Sequence, residues 1–228
     1  MTAATATPMD EDVAQEDVVA PNIAPKEVLF SPELLGMYYS RLFPFSLLYS
    51  WLSYDPSTSG AAKVFSHREF SFTIDVKGED VYIRYQSFSD EAEFKAAVLQ
   101  RRPNKIDIGA VFSHPPKDHK AITNGFKTQQ RELVFDIDLT DYDEVRKCGC
   151  QGAKICGKCW RMMTMAVKVM DSGLREDFGF EHVAWFYSGR RGVHAWICDE
   201  DARSLTNEAR SAIASYFEVR VPHTQPQG

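Results

Sequence analysis

A chain of 228 residues, 44% hydrophobic and 25% charged, has the composition of an ordinary water-soluble globular protein, and its length suits one domain with at most a small insert. No apolar run approaches the roughly 20 residues of a membrane-spanning helix, and the acidic N-terminus lacks the basic-then-apolar order of a secretory signal, so neither insertion nor secretion is expected. The net charge of −6 is uneven: six acids against Lys26 in residues 1–30 account for −5, which leaves the remainder near neutral and open to a local basic patch.

Residues 1–30, rich in Ala, Thr, Pro and acids and poor in aromatics, read as a disordered acidic leader, because they offer too little apolar surface to offset the entropy of ordering. From Ser31 the texture changes. Ser31-Pro32-Glu33 starts a helix with Leu34, Leu35, Tyr38 and Leu42 at helical spacing, and Pro44 breaks it before a second piece over Phe45–Tyr54. Pro, Ser and Gly make 55–62 a loop. Strands over Glu69–Ile74 and Val81–Phe88 flank a turn at Lys77–Asp80, and a helix starting at Ser89 or Asp90 runs to Arg102.

Lys105–Phe112 reads as a strand, 114–125 as an irregular connection and Glu132–Leu139 as the clearest strand in the chain. A cysteine-rich segment and a helix from Cys159 to about Leu174 follow. Strands over His182–Tyr187 and Val193–Cys198 then enclose Ser188–Gly192, and a last helix spans 202–217 before an unfoldable tail, 222–228. A folded core is thus expected over 31–221 with an insert at about 146–160. Both periodicities occur, which gives an α/β or α+β class; pattern alone does not choose between them.

Three groups of residues could carry chemistry. In Glu132–Leu139 the apolar Leu133, Phe135, Ile137 and Leu139 share one face, so Asp136 and Asp138 project together from the other, roughly 6–7 Å apart. Two carboxylates so close stay ionised comfortably with a cation between them, as in oxygen-ligand Mg²⁺ sites for phosphate chemistry; the plainer alternative is a solvated polar face. Cys148, Cys150, Cys156 and Cys159 fall within twelve residues, and four soft thiolates suit a tetrahedral, structural Zn²⁺ better than a redox pair or scattered free thiols.

The third group, Ser188-Gly189-Arg190-Arg191-Gly192-Val193-His194, offers glycines for close backbone approach and fork-shaped donors for phosphate oxygens, against the plainer reading of a charged hairpin turn. Glu69, Arg84 and Asp107 are polar residues within apolar strands, and such residues line a cleft or face water; charges entering a strand, as at His67-Arg68-Glu69, are usually solvated. Together, a carboxylate pair and a Gly-flanked arginine pair form the two halves of a nucleotidyl-transfer site.

The runs Arg68–Thr73, Tyr82–Phe88, Lys105–Val111, Glu132–Asp138, Asp141–Asp143 and Ser188–His194 resemble, in order, the catalytic small subunit of eukaryotic DNA primase, a member of the archaeo-eukaryotic primase superfamily. The likeness covers about residues 32–217. It implies a mixed-sheet primase core with a small zinc-knuckle insert, and a DNA-directed RNA polymerase that starts chains from two ribonucleotides without a primer.

The resemblance matches Asp136 and Asp138 to the catalytic metal-binding aspartates and Glu69 to a further active-site glutamate. Ser188, Gly189, Arg190, Arg191, Gly192, Val193 and His194 match the nucleotide-triphosphate loop, and Cys148, Cys150, Cys156 and Cys159 match the structural zinc knuckle, with Gly149 as an extra residue. Mg²⁺ or Mn²⁺ and Zn²⁺ are the implied cofactors. Single-stranded DNA template, ribonucleoside triphosphates, the primase large subunit and the DNA polymerase alpha complex are the implied partners, and the nucleus the implied location. Family members extend further, and a third catalytic aspartate and a later lysine and histidine of the nucleotide pocket are expected beyond the residues present here. The rival reading is therefore a non-catalytic fragment that binds nucleotide and partner only. A sugar-nucleotide transferase, the other chemistry for Asp-x-Asp, fits poorly with clustered cysteines and no anchor.

Overall fold

The computed structural model describes residues 30–54 and 61–218. The expected leader, most of the 55–62 loop and the tail lie outside the described residues. Local sequence sets the first elements. Ser31 accepts the Leu34 N–H at 3.2 Å and Pro32 opens helix α1 (Pro32–Arg41), followed by α2 (Phe45–Ser53). A short helix α3 (Ala61–Ser66) lies where a loop was expected to end. Strands β1 (Arg68–Val76) and β2 (Glu79–Gln86) form a hairpin, and Asp90 caps α4 (Glu91–Arg101) by accepting the Glu93 N–H. β3 (Lys105–Phe112) has the bounds the sequence predicts, and a 3₁₀ turn (Pro116–Ala121) leads to β4 (Thr128–Gln130), a strand too short to show a period.

These four strands make a sheet in the order β2-β1-β3-β4. Phe70 and Phe72 of β1 point to its helix-covered face and pack with Tyr39, Phe45, Leu52, Phe65, Phe88, Phe94 and Val98. Glu69 and Ser71 lie on the opposite face by strand alternation, yet are buried as well.

Only Arg131 and Glu132 separate β4 from β5 (Leu133–Asp138), the first strand of a second sheet. After a 3₁₀ helix (Leu139–Val145) and the cysteine loop come α5 (Gly157–Ser172) and a π-helical turn (Gly173–Asp177). β6 (Val183–Tyr187) and β7 (Gly192–Ile197) complete the sheet in the order β5-β7-β6. The helix expected over 202–217 is two, α6 (Glu200–Arg203) and α7 (Asn207–Tyr216), because Thr206 caps a new start by accepting the Ala209 N–H. Leu133, Ala195 and Ile197 pack on Leu174, Phe180, Ala202 and Ile213, while Ile137 and Val193 meet Met163 and Met170 of α5.

The fold is thus a mixture of helices and strands, but the expected mixed sheet is corrected. Every described strand pair is antiparallel; tight hairpins account for β1 with β2 and β6 with β7, and longer connections return the chain for the other three pairs. Trp51 of α2 reaches the second sheet, its ring centroid 5.3 Å from both Trp196 and Phe186.

Beneath it, the Tyr54 hydroxyl donates to Glu132, whose carboxylate takes both terminal nitrogens of Arg68 at 2.8 and 3.1 Å. Arg68 also donates to the Gly109 carbonyl and is fully buried. This corrects the expectation that charges entering β1 are solvated: Arg68 is the pin between the two sheets. Among the described residues, no helix is long and apolar enough to cross a membrane.

Candidate functional site

The antiparallel register of β5 and β7 decides what faces the two aspartates. Asp136 stands opposite His194, and Asp138 opposite Gly192. The His194 imidazole nitrogen Nε2 lies 3.2 Å from Asp136 Oδ1, a charged pair when the imidazole is protonated. Arg191, one residue before β7, donates through Nε to both Asp138 oxygens at 2.7 and 2.6 Å.

Asp138 also caps the following 3₁₀ helix, accepting the Thr140 N–H and hydroxyl at 2.9 Å each, while Asp141 returns a bond to the Asp138 N–H. Partial burial works to raise the Asp138 carboxyl, but the Thr140 N–H and the Arg191 guanidinium outweigh it and hold the group below the usual carboxylate range. Asp136, three-quarters exposed, is the open member of the pair.

Gly192 is required where the two strands meet. A Cβ there would stand 2.6 Å from the Ile137 carbonyl oxygen, nearer than any side chain tolerates. Its N–H donates to Ser188 Oγ at 3.0 Å, and its carbonyl accepts the Ser188 N–H, so the hairpin closes on itself and presents Arg191 toward β5. Gly189 sits in the turn, and Val193 points into the core. Arg190 does not join its neighbour: its carbonyl accepts the Tyr187 hydroxyl and its side chain stands exposed. The expected pair of guanidiniums facing the acids is thus one guanidinium and one imidazole, since consecutive residues in a turn point apart.

Glu69 belongs to the other sheet. Arg84 holds its carboxylate in a fork at 3.1 and 3.2 Å, and the Tyr85 N–H adds a bond at 3.3 Å. Tyr85 supplies that N–H at φ 58°, at the irregularity where β2 slips register against β1. Glu69, Arg84, Asp107, Tyr82 and Arg131 line a cleft of about 400 Å³, so Asp107 lines a cleft, while Arg84 lines it and also faces water. Among the described residues no hydrogen bond joins Glu69 to Asp136 or Asp138. Sequence reading missed Arg131 and Glu132; a charged pair immediately before the apolar alternation of β5 was the available signal.

The four cysteines converge as the spacing predicts, with all four sulfurs within 4.8 Å of one another, a set that could hold a metal ion. Gly149, at φ 79°, lets the loop absorb its extra residue. Cys156 is the N-cap of α5; the backbone N–H groups of Cys159 and Lys158 lower its thiol, and shared bonds with Cys156 and Cys148 raise that of Cys150. Arg146 is buried beside them, pairing with Asp143 and donating to the Lys154 and Gly152 carbonyls, so the loop is tied to the 3₁₀ helix that Asp138 caps. Four soft sulfur ligands gathered this closely fit Zn²⁺.

Acid, imidazole and guanidinium thus meet on one antiparallel sheet, and four cysteines that could hold a metal ion gather at the start of α5. Residues 135–227 match the family model described as DNA primase small subunit. The chain belongs to that family. It is 47% identical over 213 residues to the DNA primase small subunit of Drosophila melanogaster, covering 93% of this chain and 47% of that one. It is 47% identical over 204 residues to that of Schizosaccharomyces pombe (89% and 43%) and 38% over 183 residues to that of Saccharomyces cerevisiae (80% and 43%). The chain spans a little under half the length of these relatives.

Proposed function

We propose that this chain carries the catalytic half-site of a DNA primase small subunit, which makes short RNA primers on single-stranded DNA by two-metal nucleotidyl transfer in the nucleus. The observation that supports it most is the cross-strand arrangement of Asp136 with His194 and Asp138 with Arg191 on one sheet face. The hard oxygen donors of Asp136 and Asp138 suit Mg²⁺ or Mn²⁺, and these two residues would hold it. Such an ion, when bound, lowers the charge on the reacting phosphate and favours ionisation of an attacking hydroxyl.

The chain's own residues do the rest. Nε of Arg191 occupies the Asp138 carboxylate, so its terminal nitrogens are the ones left to reach phosphate oxygens of an incoming ribonucleoside triphosphate. His194, held by Asp136, donates to the same polyphosphate in its protonated form. Ser188, Gly189, Gly192 and Val193 shape the turn that lets the triphosphate approach the backbone, and Arg190 adds charge at its rim. Glu69, fixed by Arg84 and the Tyr85 N–H, is the further active-site carboxylate and would orient a second metal ion or its water. Cys148, Cys150, Cys156 and Cys159 hold a structural Zn²⁺ that fixes α5 against β5 and β7. A large primase subunit and the DNA polymerase alpha complex complete the assembly.

The deciding experiment measures Mn²⁺-dependent binding of a ribonucleoside triphosphate, then primer synthesis on a single-stranded template with the large subunit present. Triphosphate binding that is indifferent to Mn²⁺ and to Asp136→Ala overturns the reading. Binding without synthesis selects the alternative, a fragment that holds nucleotide and partner but does not turn over.

A further inference from the structure

The Glu69 cleft does not end at Arg131. It shares Ala110, Thr128 and Arg131 with a second depression of about 440 Å³ along the edge strand β4, so the two form one trough. The second stretch is lined by Arg131, Arg203 and Arg210 among amide and hydroxyl side chains, Gln129, Gln130, Ser204, Thr206 and Asn207, with no carboxylate in its wall.

None of the three arginines forms an ion pair among the described residues. Arg210 donates to the carbonyls of Leu205, Glu132, Arg131, Ala202 and Arg203. Arg203 donates to the Cys198 carbonyl and the Gln130 amide oxygen, and lies 3.8 Å over the Tyr54 ring. Carbonyls satisfy these donors without pairing the positive charge with a carboxylate. Burial and the charge of Arg131 disfavour the protonated form of Arg210, and the Glu132 carboxylate opposes them only in part. Arg131 is exposed and lines both halves of the trough.

We propose that this trough carries the sugar-phosphate backbone of a single-stranded nucleic acid past the first sheet and toward the Glu69 cleft. The inference rests on the primase reading and names the path of its strand. A lone phosphate would need one focus of donors. Here Arg131, the amides of β4 and the first turn of α7 extend for about 10 Å by strand rise alone, which suits successive phosphates on a flexible chain. Arg203 and Arg210 are locked by the fold and set the field, while Arg131, exposed where the two depressions join, is the cation that meets the strand.

The test uses the full chain and a fluorescein-labelled 16-nucleotide oligothymidylate followed by anisotropy across a salt series. Arg131→Gln is expected to flatten the slope of log affinity against log salt by about 0.7, the value for one phosphate of a single strand. Arg131→Glu is expected to weaken binding about tenfold at low salt. Asn207→Glu places a negative charge in the same wall without removing any bond described here, at a helix start that favours acids, so it weakens binding about threefold with its melting temperature kept.

Wild-type affinity and salt slope in both Arg131→Glu and Asn207→Glu overturn the proposal. So does equal displacement of the strand by tripolyphosphate at matched phosphate concentration, which assigns the trough to a small anion. Asp136→Asn separates the two levels, since it is expected to lose Mn²⁺-dependent triphosphate binding while keeping the strand. If it keeps both while Arg131→Glu loses the strand, the primase reading falls and the trough stands.

Discussion

Replacing Glu132 by Gln tests whether the two sheets are held by the buried pair at their junction. Arg68 and Glu132 have side chains 0% and 2% exposed, and the contact is a two-pronged one with the Tyr54 hydroxyl as a third donor. The Arg68 Nε is buried with no hydrogen-bond partner among the described residues, and the other acceptor on the guanidinium, the Gly109 carbonyl, is uncharged, so neither replaces the carboxylate charge if it goes. Removing one member of such a pair leaves an uncompensated buried charge and costs about 3–5 kcal/mol. At about 2–4 °C per kcal/mol for a chain of this size, Glu132→Gln is expected to melt about 6–20 °C below wild type at pH 7.

Burial pushes the Glu132 carboxyl up, but the Arg68 guanidinium and the Tyr54 hydroxyl overcome it and leave the group below its ordinary value of 4.5. Because the folded value is the lower one, the pair stabilises fully above the unfolded value, and the benefit is lost as pH falls through the folded value. The gap between variant and wild type therefore narrows in acid. Circular dichroism melts from pH 7 downward measure both effects, and Arg68→Met with Glu132→Leu is expected to recover most of the loss. A single Glu132→Gln variant within about 1 kcal/mol of wild type at pH 7 would refute the argument that a stranded charge dominates.

Asp136→Ala is expected to abolish metal-dependent triphosphate binding at an unchanged melting temperature, because its side chain is exposed and caps nothing. Asp138→Ala should also lose binding and, by losing the Thr140 cap, about 1 kcal/mol of stability in urea titration, whereas Asp138→Asn keeps the cap and loses binding alone. Cys156→Ser, or a chelator added to the wild type, is expected to lower the melting temperature and release zinc measurable by a colorimetric dye. Gly192→Ala forces β5 from β7 and should cost about 1–3 kcal/mol with triphosphate binding impaired; an unchanged melt would mean that the strands part freely there.

Sequence alone determined the features that depend on neighbours along the chain. Alternation put Asp136 and Asp138 on one face, Ser31 and Asp90 announced helix starts, and four thiols within twelve residues could hardly avoid meeting. Apolar spacing continues through Thr206 and so predicts one helix over 202–217, although the Thr206 cap that splits it is itself a local signal.

Only tertiary structure decided which charge met which. Strand register gave Asp136 its histidine and Asp138 its arginine, and turn geometry sent Arg190 away from Arg191. Arg68 is buried because Glu132, 64 positions later, arrives beside it, and no periodicity in β1 encodes that arrival. The arginine trough likewise assembles from β4 and α7, segments more than 70 residues apart, since charge at a surface is a sum over space and the chain lists it only in order.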